Sequence, residues 1–253
     1  MQQPTYNTWI RKKKIVVFGV ITLALLVLAA ITMSNWWLSL LFVTLAAPFA
    51  YITFIISYSY VQFSKAGGDY QSKIHDLVVD TLSSKSGKLL DIGTGSASLT
   101  IKAAKKLPKI TATGLDYWGT DWDYSKKLCE KNAEIEGVGD HMTFVQGSAS
   151  KLPFEDGTFD IVVSCLTFHE VNDESDKTKV LHEALRVLRS GGEFVFMDLF
   201  LDQEIFGDVE TVFGGLGVKE VLFSKLDSEL KLPKLLLGTK VLGNAMLVRG
   251  FKK

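Results

Sequence analysis

Cysteine is scarce in this chain. Only Cys129 and Cys165 occur, with no C-x-x-C spacing, so the case for a disulfide framework or a thiolate metal site falls away. Internal repeats and low-complexity segments are also missing. Charge is absent altogether from Ile15 to Ser64, and no acid occurs before Lys65. The chain has 28 basic and 28 acidic residues, and Arg11, Lys12, Lys13 and Lys14 are the only charges ahead of Lys65. The stretch from Lys65 onward is therefore mildly acidic, which argues against a nucleic-acid substrate.

The charge-free stretch holds two apolar runs, Ile15 to Met33 and Trp36 to Val61, interrupted only by Ser34 and Asn35. As helices rising ~1.5 Å per residue, each is long enough to cross a hydrocarbon core of about 30 Å. The pair reads as a transmembrane hairpin with a very short outer turn. Arg11–Lys14 before the first span and Lys65 after the second place both ends, and everything beyond, in the cytoplasm. Trp36, Trp37, Tyr58 and Tyr60 stand where interfacial aromatics would anchor the second span, and Pro48 is expected to kink it. Ala46 and Ala50 are small residues one turn apart that would allow close helix approach. A cleaved signal peptide would share the basic start, but the length of the run and the span directly behind it oppose that reading. The expected division is an anchor over residues 1–64 and a second domain over residues 65–253. The anchor's expected partner is the lipid bilayer, with Arg11–Lys14 against anionic head groups.

Beyond Lys65 helical and strand patterns alternate. Ile74, Leu77, Val78 and Leu82 have helical spacing, so a helix is expected over about 70–83. Strands are expected at Lys88–Ile92, Ile110–Leu115, Met142–Val145, Phe159–Cys165 and Glu193–Met197. Helices are expected from Ser98, near Tyr124–Glu136, and through Val180–Leu188, the last stopped by Gly191 and Gly192. Val218–Phe223 and Ala245–Val248 complete the set as a terminal antiparallel pair. The expected fold class is α/β: a doubly wound, mostly parallel, Rossmann-like sheet whose ligand lies beyond the carboxyl ends of the strands.

The segment LLDIGTGSAS, Leu89 to Ser98, is the most informative stretch. An apolar strand closes on Asp91, and Gly93 and Gly95 allow a sharp turn before a helix whose positive end points at the same place. Such turns serve dinucleotides and adenosyl cofactors. A dinucleotide fingerprint wants glycine or alanine where Ser98 stands, so the adenosyl reading is favoured. Asp116 ends the next strand, where a carboxylate can accept both hydroxyls of a ribose; helix capping or turn formation is its ordinary alternative. A nicotinamide-dependent enzyme stays open on Gly93, Gly95 and Asp116 alone.

With GLDYW, GSASKLPFEDGTFDIVVS and ALRVLRSGGEF following in order, Leu89 to Phe194 resembles the class I adenosylmethionine-dependent methyltransferases, in the broad group that includes the ubiquinone and menaquinone biosynthesis methyltransferases. The resemblance implies S-adenosyl-L-methionine as cofactor and a small-molecule methyl acceptor, with no metal. It implies that Asp91 and the amides of Gly93, Thr94 and Gly95 hold the methionine end, that Asp116 holds the ribose and that Tyr117 flanks the adenine. Ser148 stands where the family often has an acid toward the adenine amino group, Ala149 would meet the ring through its backbone, and the carbonyl of Cys165 would face the methionine amino group. Ala97 replaces a glycine and Ser190 a proline of the family pattern. His169, in the segment CLTFHEV, is the best available general base because its ordinary pKa lies near neutrality. Glu170 reads as a solvated or capping charge. Tyr117, Trp118, Trp122 and Tyr124 either pack helix against sheet or wall the adenine pocket. The anchor and the resemblance together lead to a membrane-anchored methyltransferase for a lipophilic acceptor; a noncatalytic cofactor-binding or scaffold module is the alternative, motivated by Ser148.

Overall fold

A computed structural model describes residues 2–119 and 124–253. The chain divides into two compact units, one formed by Thr8–Gln71 and the other by the residues up to Asn7 together with Ser72–Lys253.

In the Thr8–Gln71 unit, α1 (Lys12–Ile31) and α2 (Trp36–Phe63) form a hairpin. Its turn is closed by Thr32 N–H to Leu28 O at 3.0 Å and Asn35 N–H to Thr32 O at 2.8 Å. The Ser39 hydroxyl donates to Ala29 O at 2.9 Å, so the two helices are joined by a hydrogen bond near the turn. Ala29 and Ala46 are buried where the helices pack, whereas Ala50 is exposed; of the expected small pair only Ala46 serves the contact. α2 continues through Pro48. Both helices are long and apolar enough to cross a membrane, and only 6% of the most apolar window of each is buried. A core helix of a water-soluble fold would hide that face; here Val16, Leu23, Trp36 and Leu40 point outward.

The second unit is built on one sheet. Its strands are β1 (Ser86–Ile92), β2 (Lys109–Asp116), β3 (Met142–Gln146), β4 (Phe159–Cys165), β5 (Leu188–Asp198), β6 (Val218–Lys225) and β7 (Met246–Lys252), in the order β3-β2-β1-β4-β5-β7-β6. β1 pairs in parallel with β2 and β4, β2 with β3, and β4 with β5, whereas β7 is antiparallel to both β5 and β6. The strand order reverses between β1 and β4, the place where such sheets bind ligands. Helices α3 (Tyr70–Thr81), α4 (Ser98–Lys106), α5 (Lys126–Ile135) and α6 (Lys177–Arg186) accompany the parallel part. Leu89, Leu90, Ile161, Val162, Val163, Phe194, Val195 and Phe196 are fully buried, so β1, β4 and β5 are covered on both faces, as continuous apolar runs require.

One boundary differs from expectation. Gly191 and Gly192 do not separate α6 from a strand; β5 begins at Leu188 and runs through them. Phe159 pairs with Leu188, and the next pair is Ile161 with Glu193, so the glycines fill a bulge. Gly191 has φ +70°, a left-handed geometry that suits glycine.

The residues ahead of α1 also have a place in this unit. Thr5 N–H donates to Asn132 Oδ1 at 2.9 Å, and Asn132 Nδ2 donates to Thr5 O at 2.8 Å and to Ser96 O at 3.0 Å. Tyr6 packs against Ala97, Ile101, Cys129 and Ala133, and its hydroxyl donates to Glu136 Oε1 at 3.1 Å. One buried amide thus ties the N-terminal segment to the turn after Gly95. Asn132→Ala leaves Thr5 N–H and two carbonyls without this partner, and a loss of about 2–4 kcal/mol is expected. The midpoint of urea unfolding measures the loss, and faster hydrogen exchange at the Thr5 amide shows that the segment has come free.

Candidate active site

The ends of β1, β2, β4 and β5 bring together Asp91, the glycine turn, Asp116, Cys165, His169 and Asp198. Asp91 is buried, opposite Gly114 of β2 and Val163 of β4. Its Oδ2 accepts from Thr100 Oγ1 at 2.5 Å, and Thr100 in turn meets Thr94 Oγ1 at 2.5 Å. Among the described residues its Oδ1 has no hydrogen-bond partner. Burial pushes the carboxyl up to about 6, against the pull of the Thr100 and Thr94 hydroxyls, and the charge of Asp116 adds to the rise. A buried carboxylate oxygen without a donor costs free energy, and a positively charged donor suits it best.

The turn is tight for stated reasons. Gly93 has φ +79° and Gly95 φ +57°, and a Cβ on Gly93 would stand 1.9 Å from Thr167 Oγ1. Thr167, just beyond β4, therefore sits directly on the glycine turn. Ala97 is left-handed at φ +65°, which accounts for glycine being the family's usual choice there. It is also fully buried against Ile101 and Cys129, so its methyl gains packing where glycine would gain ease.

The turn's amides are engaged within the protein. Gly93 N–H and Thr94 N–H both donate to Leu115 O, at 2.8 and 3.0 Å, and Gly95 N–H donates to Asp116 Oδ2 at 2.8 Å. All three amides bond within the protein because the end of β2 lies alongside and offers the Leu115 carbonyl and the Asp116 carboxylate. The polar group the turn leaves open is the Asp91 carboxylate. Asp116 is held twice, since its Oδ1 accepts Trp118 N–H at 2.8 Å. Burial raises its carboxyl, and the Trp118, Gly95 and Tyr117 amides draw it back. Each oxygen keeps a lone pair beyond the amide it accepts, so two ribose hydroxyls can still be received.

The remaining expected residues lie around this centre. Tyr117 is 69% exposed, a free ring beside Asp116, while Trp118 packs on the α4–α5 layer and donates Nε1–H to Gly95 O at 3.0 Å. Trp118 is thus a packing residue, and the Tyr124 ring lies 3.4 Å from where a Gly95 Cβ would be. Trp122 lies outside the described residues. Ser148 turns its hydroxyl to Ser150 Oγ at 2.9 Å, and Ser150 donates to Asp173 Oδ2 at 2.7 Å. Ala149 is buried in the main core. Cys165 is buried, with its thiol pushed well up by burial and by the charges of Asp91 and Asp198; its carbonyl accepts from Thr167 Oγ1 at 3.3 Å.

His169 sits in a single turn after β4, with Nδ1 2.6 Å from Asp198 Oδ1 and Nε2 3.9 Å from Glu170 Oε1. Burial pulls its pKa down, but the charge and hydrogen bond of Asp198, helped by Glu170, outweigh burial and Lys177, and the net direction is up. Sequence reasoning missed Asp198 because the expected strand stopped at Met197. The available signal was the one used for Asp91 and Asp116, an acid closing an apolar strand.

Residues 90–196 match the family described as "Methyltransferase domain". The ubiquinone/menaquinone biosynthesis C-methyltransferase of Roseobacter denitrificans is 31% identical over 126 residues, 49% of this chain and 47% of the relative. Phthiotriol/phenolphthiotriol dimycocerosates methyltransferase 1 of Mycobacterium ulcerans is 30% identical over 146 residues, 57% of this chain and 49% of the relative. This chain therefore spans about half the length of the curated relatives it matches. In fold it is similar to geranyl diphosphate methyltransferase in complex with S-adenosylmethionine, at a TM-score of 0.55, 15% identity, and coverage of 72% of this chain and 85% of that one. The strand order and the acid-and-glycine turn agree with that match: residues 90–196 are similar to a methyltransferase domain, set in a mostly parallel sheet of the kind seen in methyltransferase structures.

Proposed function

We propose that this chain transfers a methyl group from S-adenosylmethionine to a small lipophilic acceptor, with the two apolar helices α1 and α2, which lie within the expected anchor of residues 1–64, holding the remaining domain at the cytoplasmic face of a membrane. The observation that carries the cofactor assignment is the buried, unpaired Asp91 Oδ1 beside the glycine turn, which suits the cationic amino group of the methionine end. Asp116 would hold the ribose, Tyr117 would flank the adenine, and Ala149 with Ser148 would close its far side. When bound, the cofactor supplies an electrophilic methyl on a sulfonium. The chain's own contribution is alignment: the transfer is an in-line displacement, and holding acceptor and methyl in near-attack geometry supplies most of its acceleration.

The anchor is supported by two helices whose apolar side chains face outward, and by Arg11–Lys14 at one end of the pair. Tethering at a bilayer raises encounter with an acceptor dissolved in it. Two relatives whose names contain ubiquinone/menaquinone and phthiotriol dimycocerosates favour a lipophilic acceptor. The test uses the full chain in lipid nanodiscs, with S-adenosylmethionine labelled in its methyl group and, as acceptors, an organic extract of the host membranes or a soluble metabolite pool. Label is expected in the organic-extractable fraction. Label confined to the soluble pool would remove the lipophilic acceptor, and calorimetric binding without transfer to either pool would make the chain a noncatalytic binding module.

A further inference from the structure

Asp198 closes β5 with zero exposure and is hydrogen-bonded through both oxygens. Oδ2 accepts Phe168 N–H at 2.7 Å; Oδ1 accepts Leu199 N–H at 2.7 Å and lies 2.6 Å from His169 Nδ1. The two backbone amides fix the carboxylate, and an oxygen that can only accept fixes the ring: Nδ1 must carry the hydrogen. In the neutral imidazole Nε2 is then a base without a hydrogen, 3.9 Å from Glu170 Oε1, on a side chain that is 19% exposed. The ring stands at the carboxyl ends of β4 and β5, two residues beyond Thr167, whose hydroxyl covers Gly93.

Resting on the methyl-transfer reading, we propose that Asp198 is a positioning residue that holds His169 with Nδ1–H toward the protein, leaving Nε2 to take the proton of an acceptor that carries an O–H or an activated C–H. As the acceptor's electron pair forms its bond to the methyl carbon, the carbon–sulfur bond breaks and its pair stays on sulfur, leaving a neutral thioether. The acceptor's proton passes to His169 Nε2. The imidazolium so formed faces Asp198 on one side and Glu170 on the other, with Lys177 the opposing charge nearby. The acceptor class follows from this arrangement. A neutral amine needs no base for its attack, whereas a phenol, enol or carbon acid does.

Asp198→Asn separates this role from packing. The amide has one acceptor oxygen where the carboxylate uses two, so either the Phe168 N–H faces an NH₂, or the amide turns and His169 becomes the acceptor at Nδ1, moving its hydrogen to Nε2. The full chain, ¹⁵N-labelled at histidine and free of cofactor, is expected to show His169 as the Nδ1–H tautomer, titrating above the ordinary 6.5. In Asp198→Asn the titration should fall, because the charge and hydrogen bond that raise it are gone, or the tautomer should change. With labelled cofactor and membrane extract, His169→Gln should cut turnover by roughly 10²–10⁴-fold. Asp198→Asn should cut it by about tenfold or more, with the acid limb of the pH–rate profile following the shifted titration and the cofactor KM unchanged. The double variant should lose little beyond His169→Gln, because both act through one group. A His169 titration and tautomer both unmoved in Asp198→Asn overturn the pairing. A moved titration with an unmoved acid limb overturns the base. Absence of transfer by the unaltered chain to every acceptor defeats the underlying methyl-transfer reading instead, with the cofactor-free titration showing which of the two failed.

Discussion

Asp116→Ala lowers the affinity for S-adenosylhomocysteine by about 10²–10⁴-fold, measured by calorimetry on the full chain in detergent. The magnitude follows from two hydrogen bonds to a charged acceptor, each contributing about 1.5–3 kcal/mol, with about 1.4 kcal/mol per factor of ten. The structure adds a second consequence that a simple ribose contact would not have. Gly95 N–H and Trp118 N–H donate to the two oxygens of this carboxylate, so its removal also frees the glycine turn. Both amides can turn to water, so the chain stays folded, with a modest fall in its unfolding midpoint and faster exchange at those two amides. Asp116→Asn is the informative companion. It keeps one acceptor oxygen and places an NH₂ against one of the two amides, so it should lose affinity as well, though less than alanine. Unchanged affinity in Asp116→Ala would take Asp116 out of the cofactor site.

Periodicity and punctuation made the sheet legible. Lys88–Ile92, Ile110–Leu115 and Phe159–Cys165 are strand patterns bounded by turn residues, and the observed β1, β2 and β4 contain them. β4 has the expected bounds because Gly157 and Thr158 precede it and the chain turns sharply after Cys165, with Leu166 at φ +55°. The glycines at 191 and 192 misled the placement of β5 because glycine serves equally as a helix stop and as a bulge, and only strand pairing distinguishes the two. The site was legible where an acid ends a strand, as at Asp91 and Asp116. It was not legible where a contact depends on strands brought together from afar. Asp198 and His169 are separated in the chain and meet only because β4 and β5 are neighbours. Asn132 and Thr5 meet only because the residues ahead of α1 pack against α5. The partners of the turn's amides were equally out of reach, since Leu115 O, which accepts from Gly93 and Thr94, and Asp116 Oδ2, which accepts from Gly95, come alongside only when β1 and β2 pair.

Asp91→Asn should raise the stability of the cofactor-free chain at neutral pH while weakening the cofactor, and the opposite signs are what make it diagnostic. The Asp91 carboxyl is pushed from 3.8 to about 6, chiefly by burial. An acid whose folded pKa lies above its unfolded one opposes folding when ionised. That penalty is complete above about pH 6 and gone below about pH 4, and the two-unit shift corresponds to about 3 kcal/mol. Asparagine has the same shape and no charge, and its oxygen still accepts from Thr100. The cost of leaving its NH₂ where Oδ1 had no partner takes back about 1–2 kcal/mol at either pH, for a net gain of about 1–2 kcal/mol at pH 7 that turns into a net loss of about 1–2 kcal/mol by pH 4. Urea unfolding of both chains at those two pH values measures it. For the cofactor the charge works the other way. An ammonium beside an ionised Asp91 is a charge-assisted pair in a buried setting, so the variant should bind S-adenosylhomocysteine at least tenfold more weakly at pH 7. The unaltered chain should itself lose affinity as the pH drops through about 6, approaching the variant, because protonating Asp91 removes the same charge. A variant that is less stable at pH 7 and binds as well as the unaltered chain would show that Asp91 is a structural acid and that the methionine end is held elsewhere.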